Sequence, residues 1–144
     1  VEISIVDKED FLDLSGKEEL IFIVKKILKY LNLSTQSELC ISFVSDTYMR
    51  ELNLRYRHID ATTDVLCFPQ QSETAPNLLG DIVISYQTAV RHSRKFDITL
   101  NEELRLLIVH AVLHLFGFDH KKRKEREVMR EKEKEILNYL IQER

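Results

Sequence analysis

Three of the chain's five histidines, His110, His114 and His120, fall within eleven residues, HAVLHLFGFDH, inside its most apolar stretch. His110 and His114 are four residues apart. On a helix, four steps of about 100° bring two side chains to one face, one turn apart. Two imidazoles so placed can converge on one metal ion. Gly117 then allows the chain to turn, and His120 follows as a third ligand. Three neutral nitrogens leave one tetrahedral position open for water, the layout of a catalytic zinc site. A single buried histidine is usually a satisfied core residue. Three of them among leucines, valines and phenylalanines would each need polar partners that such neighbours do not offer. Asp119, the one carboxylate inside the motif, suits a role holding an imidazole better than that of a fourth ligand. The spacing also matches that of metzincin proteases, which carry a glutamate as general base after the first histidine. Here that position is Ala111, which argues against peptide hydrolysis.

These residues need a helix to hold them. TLNEELRLLIVHAVLHLFG opens with Thr99 and Glu102 in capping-box spacing. It is apolar on nearly every side, the mark of a central, buried helix, and it ends at Gly117, where a left-handed cap favours glycine. Upstream, VEISIV, ELCISFVS, TDVLCFP and LGDIVIS read as four strands, the third stopped by Pro69. GKEELIFIVKKILKYLNL places Leu20, Val24, Ile27, Leu28 and Leu31 at helical spacing. DTYMRELNLRYRH reads as a helix capped by Asp46, with Met49, Leu52 and Tyr56 on one face, and SYQTAVRHSRKF as one capped by Ser85. QQSETAPN is a polar loop. The charged C-terminal segment is a helix docked by Val128, Met129, Ile136, Leu137, Leu140 and Ile141. The order β-α-β-α-β-β-α-α-α gives an α+β fold: a small mixed four-stranded sheet covered by helices, with a central buried helix carrying two of the three metal-binding histidines.

The chain has 144 residues, 44% hydrophobic and 31% charged, with three glycines and two prolines. That fits one domain, residues 1–144, with a real core, and argues against disorder and a turn-rich all-β fold. The formal net charge of −3 means that nucleic-acid binding must come from a local basic patch. RHSRK (residues 91–95) and KKRK (residues 121–124) are the densest, and the second follows His120 directly. Cys40 and Cys67 sit in apolar runs without a CxxC motif, as buried thiols of a reducing compartment do. The start of the chain has no signal-peptide pattern, and LLIVHAVLHLFGF is too short to span a bilayer. The expectation is a cytoplasmic protein with no membrane partner.

Three blocks carry a resemblance to a known family. ELNLRYRHIDATTDVLCFP (residues 51–69) is similar to the LN-x-x-YR-x-x-D-x-PTDVLSFP stretch of the YbeY family. LGDIVIS (residues 79–85) is similar to its GDI-x-IS strand, and HAVLHLFGFDH to its HG-x-LHL-x-GYDH site. The chain departs from the pattern at Ala111 (glycine), Phe118 (tyrosine), Thr62 (proline) and Cys67 (serine). None of these removes a metal ligand. The resemblance implies a single metallo-endoribonuclease domain. Its activity would be zinc-dependent and specific for single-stranded RNA, in small-subunit (16S) ribosomal RNA maturation and ribosome quality control. It implies one Zn2+ held by His110, His114 and His120, with His114 and Arg57 in the catalytic set. The partners would be single-stranded RNA, small-subunit ribosomal RNA and the ribosome, with no DNA. An arginine suits that role, because cleaving a phosphodiester builds negative charge that a guanidinium can bind at two oxygens. Without the resemblance Arg57 reads as a surface arginine near Arg50 and Arg55. Asp64 and Asp81 read as residues that support the metal ligands or satisfy turn amides, and His58 and His92 as ordinary surface residues. No side chain stands out as general base. The rival reading is a non-catalytic metalloprotein that binds ribosomal RNA or assembly factors.

Overall fold

A computed structural model of the chain describes residues 2–32, 38–70, 78–117 and 123–142. The alternating Glu2–Val6 forms strand β1. Helix α1 (Leu14–Tyr30) starts two residues ahead of the expected Gly16, because the Asp13 side chain accepts from the Gly16 N–H at 2.7 Å and caps it. The remaining elements are β2 (Glu38–Val44), α2 (Asp46–Arg57), β3 (Val65–Pro69), β4 (Leu78–Ser85), α3 (Tyr86–Lys95), α4 (Leu100–Leu115) and α5 (Arg123–Gln142). The strands form one mixed sheet in the order β1-β2-β4-β3. β1, β2 and β4 are parallel, and edge strand β3 runs antiparallel to β4. The expected α+β architecture is the one observed.

The period-two pattern of the strands assigns the two faces. Leu39, Ile41 and Phe43 of β2 and Leu79, Ile82 and Ile84 of β4 join the main core with α1, α4 and α5. Val83 and Leu66 point the other way and pack against Met49 of α2. Pairing shifts by one residue between Glu38 and Leu39. Just there Gly80 has φ +144°, and a Cβ on it would stand 2.4 Å from the Phe68 carbonyl oxygen. Only glycine lets β3 and β4 approach so closely at this point.

Three local expectations are corrected. Asp46 does not cap α2. Ser45 does, accepting from the Tyr48 N–H, while Asp46, inside the first turn, accepts from Ser85 Oγ (2.7 Å), Thr88 Oγ1 (2.6 Å) and the Arg91 guanidinium (2.5 Å). Ser85 precedes α3 as expected, but its hydroxyl is given to Asp46 and makes no cap bond. On α5, Met129, Ile136 and Leu140 are buried and Leu137 is half-buried, whereas Val128 and Ile141 are exposed. The buried stripe runs 129, 133, 136, 140, so Glu133 lies on the side that meets the core.

Candidate metal centre

The Thr99–Glu102 capping box is present, with both reciprocal hydrogen bonds, and fixes where α4 begins. Leu104, Leu107, Ile108, Ala111, Val112 and Leu115 are then buried against the sheet and neighbouring helices. Gly117 follows with φ +89°, the left-handed end that the sequence calls for. Within this apolar helix one polar stripe remains. Glu103, His110 and His114 are seven and four residues apart and so share a face. His110 and His114 are both half-buried.

Glu133 of α5 meets this stripe. Its Oε1 lies 2.7 Å from His110 Nδ1. A carboxylate only accepts, so Nδ1 is the protonated nitrogen, and in the neutral ring Nε2 carries the lone pair. The Glu133 hydrogen bond raises the pKa of His110, against the opposing effect of burial, with further support from the charges of Glu133 and Asp64. A carboxylate behind an imidazole fixes its tautomer and orientation and raises its basicity, as metal-ligating histidines require. These donors therefore fit a divalent transition ion: two imidazoles one turn apart, one oriented by a carboxylate. His120, the expected third ligand, lies outside the described residues, as do Asp119, Lys121 and Lys122.

Arg57 is the last residue of α2 and is exposed. His58 follows with φ 58° and ends the helix in the left-handed conformation. The next segment is tied back to α2 by the Arg50–Asp60 ion pair (2.7 Å) and by the buried Asn53, whose Nδ2 donates to the Ala61 carbonyl (2.8 Å). Arg57 thus stands on a braced helix end, without a carboxylate partner among the described residues. α2 covers one face of the sheet and α4 the other, with edge strand β3 beside both. Cys67 of β3 lies 3.9 Å from the Ala111 carbonyl oxygen, and burial pushes its thiol up to about 12. As a free thiol it stays protonated at neutral pH, which makes it a poor nucleophile.

Asp64, next to β3, does satisfy a turn amide, that of Val65 (2.8 Å), and its backbone carbonyl accepts from the Ser85 N–H. Its other carboxylate oxygen faces His92 of α3. His92 is not an ordinary surface residue: its Nδ1 lies 4.0 Å from Asp64 Oδ2 and 3.5 Å from Oε1 of Glu103. Among the described residues, these three are the group whose ligand atoms come together as metal donors do. Asp81 belongs elsewhere. It sits on the outer face of β4, accepts from Gln70 Nε2 (3.4 Å) and lines a groove of about 630 Å³ with Tyr48, Tyr56 and Phe68.

Paired histidines on a buried helix of an α+β domain, one of them braced by a carboxylate, have the layout of a metal-dependent hydrolase. The family model described as Endoribonuclease YbeY matches residues 3–141, and the chain belongs to that family of RNA-cleaving hydrolases. It is 40% identical to the Endoribonuclease YbeY of Desulforamulus reducens, covering 89% of this chain and 91% of that one. It is 38% identical to that of Clostridioides difficile, covering 93% of each. The solution structure of TM1509 from Thermotoga maritima superimposes with a TM-score of 0.61 at 23% identity, over 98% of this chain and 93% of that one, and shares the fold. No described helix is long and apolar enough to cross a membrane.

Proposed function

We propose that the chain is a zinc-dependent endoribonuclease for single-stranded RNA, acting on small-subunit ribosomal RNA in its maturation and in ribosome quality control. The observation that carries this reading is the carboxylate-braced His110 with His114 one turn away, on a chain of the endoribonuclease family. His110, His114 and His120 would hold the ion. When bound, zinc supplies Lewis acidity and lowers the pKa of water. Glu133 keeps the His110 proton on Nδ1 and aims the ring. Arg57 binds the phosphate oxygens on which charge develops, and its braced helix end limits the reorganisation needed. A ribosomal substrate and the two free thiols, Cys40 and Cys67, both suit the cytoplasm. The test is cleavage of single-stranded and duplex RNA by protein that has been metal-stripped and then reloaded. The expected result is loss of single-strand cleavage on stripping and recovery with one equivalent of zinc. Unchanged cleavage in the stripped protein would overturn the proposal.

A further inference from the structure

Asp64, His92 and Glu103 come from the start of β3, from α3 and from α4, and none of them is a ligand of the proposed histidine site, which feels Asp64 only through its charge. Their ligand atoms all lie within 4.8 Å of one another. The two separations from His92 Nδ1, 3.5 and 4.0 Å, are longer than the roughly 2.7–3.2 Å of an N–H···O hydrogen bond. They suit donors arranged around an ion. Ligands about 2.1 Å from a common centre stand roughly 3.0 Å apart at right angles and about 4.2 Å apart when opposed. The group's outer bound of 4.8 Å is wider than that span, so a carboxylate must turn inward as an ion binds.

Charge points the same way. Two carboxylates face one imidazole, so even a protonated His92 leaves an excess negative charge. One of the carboxylates, Glu103, has a side chain only 8% exposed. Burial is the main cause that raises its pKa; Asp64 adds to the rise and His92 opposes it. A bound cation would offset the cost of keeping both carboxylates ionised here. The donors are also held in place. Asp64 Oδ1 accepts from the Val65 N–H and Thr63 Oγ1, leaving Oδ2 toward His92. The His92 ring packs edge-on against Phe96. Asp64 and His92 are each about one-third exposed, so water can complete the coordination on the open side.

We infer that Asp64, His92 and Glu103 form a second divalent-cation site, separate from the paired histidines and suited to an ion such as Mn2+. Two carboxylates and one imidazole favour a harder ion than three imidazoles do. Glu103 and His110 are seven residues apart on α4, about 10 Å along its axis. That is too far for the two ions of one catalytic centre, which sit about 3.5–4 Å apart. The cation instead joins three elements at the end of the segment that begins after Arg57. The inference does not depend on what the paired histidines bind.

Mn2+ titration of the chelator-stripped full chain, followed by loss of the free-ion electron paramagnetic resonance signal, tests it. Wild type and the double variant His110→Ala/His114→Ala should both bind a Mn2+ ion whose affinity falls at least tenfold in His92→Ala and in Glu103→Gln. Glu103→Gln keeps the side-chain volume, and circular dichroism checks its fold. A wild-type measurement stands beside the variants. In zinc-loaded protein, substoichiometric Mn2+ should broaden the His92 ring resonances more than those of His110 and His114. Mn2+ binding that disappears with His110 and His114, or that is unchanged in both His92→Ala and Glu103→Gln, would overturn the site. So would broadening centred on His110 and His114.

Discussion

Glu133→Gln keeps the size of the side chain that meets His110 but exchanges a charged acceptor for a neutral amide. The ring loses its charge-assisted hydrogen bond and part of its basicity. Zinc affinity, measured by chelator competition, should fall about 10-fold, and toward 100-fold in Glu133→Ala, with the helix content unchanged. Equal affinity in all three proteins would mean that the pair serves packing alone. Arg57→Ala should bind zinc normally and lose on the order of 10²–10³ in turnover on single-stranded RNA. Arg57→Lys should recover little of this, because lysine cannot make the forked contact. A rise in the half-saturating RNA concentration with turnover intact would reduce Arg57 to an affinity contact. The paired histidines are legible in the sequence because their spacing is local. Glu133 is one glutamate among many in EREVMREKEKE. Its sign is its place on the 129–133–136–140 stripe, where every other position is apolar. Glu103 had a similar sign, seven residues before His110 on an apolar helix. Asp64 and His92 carried none, since only the tertiary fold brings positions 64, 92 and 103 together.

Asp46 ties the first turn of α2 to the β4–α3 junction. Burial alone would push its carboxyl up; the hydrogen bonds from Arg91, Thr88 and Ser85 outweigh it and bring the pKa down to about 2, from an ordinary value of 3.8. A depressed carboxylate pKa means that its share of the stability is fully present above the ordinary value. That share is lost as pH falls from about 4 toward about 2. Asp46→Ala should therefore be less stable than wild type at neutral pH by about 2–3 kcal/mol in urea unfolding, because it also leaves the buried Ser85 and Thr88 hydroxyls without the carboxylate acceptor of their protons. The gap should narrow as the pH approaches 2; a gap that stays constant would deny the ionic part. The sequence identified Asp46 as a helix-start residue correctly but gave it the wrong hydrogen bonds. Ser45 and Asp46 are both good caps, and only the neighbouring α3 decides between them. Gly80→Ala should cost about 1–3 kcal/mol from backbone strain, with the Phe68 carbonyl contact added. Wild-type stability in that variant would show that the β3–β4 pair can separate without penalty. Strand alternation made the four strands and their inward faces readable. The strand order was not, because a parallel β2–β4 pair separated by α2 and β3 leaves no local mark.

Whether the metal holds the fold together separates an enzyme from a structural metalloprotein. The main core brings together α1, α4, α5 and the sheet through residues such as Val24, Ile41, Ile82, Ile108, Leu113 and Ile136, all buried. α4 itself is fixed at its start by the capping box and along its length by that core. His110 and His114 are half-buried and belong to neither hydrophobic cluster. A chain of 144 residues with a core of this size buries enough surface to fold without a metal, unlike a zinc finger. Stripping the metal should accordingly leave the far-ultraviolet spectrum and a single cooperative thermal transition in place. An ion that binds only the folded state adds about 4 kcal/mol when present at a thousand times its Kd. At about 2–4 °C per kcal/mol for a chain of this size, the stripped protein should melt on the order of 10 °C lower. RNA cleavage should vanish in the same preparation. If stripping instead abolished the cooperative transition and the helical signal, the ion would be structural, and the endonuclease reading of the paired histidines would fail with it.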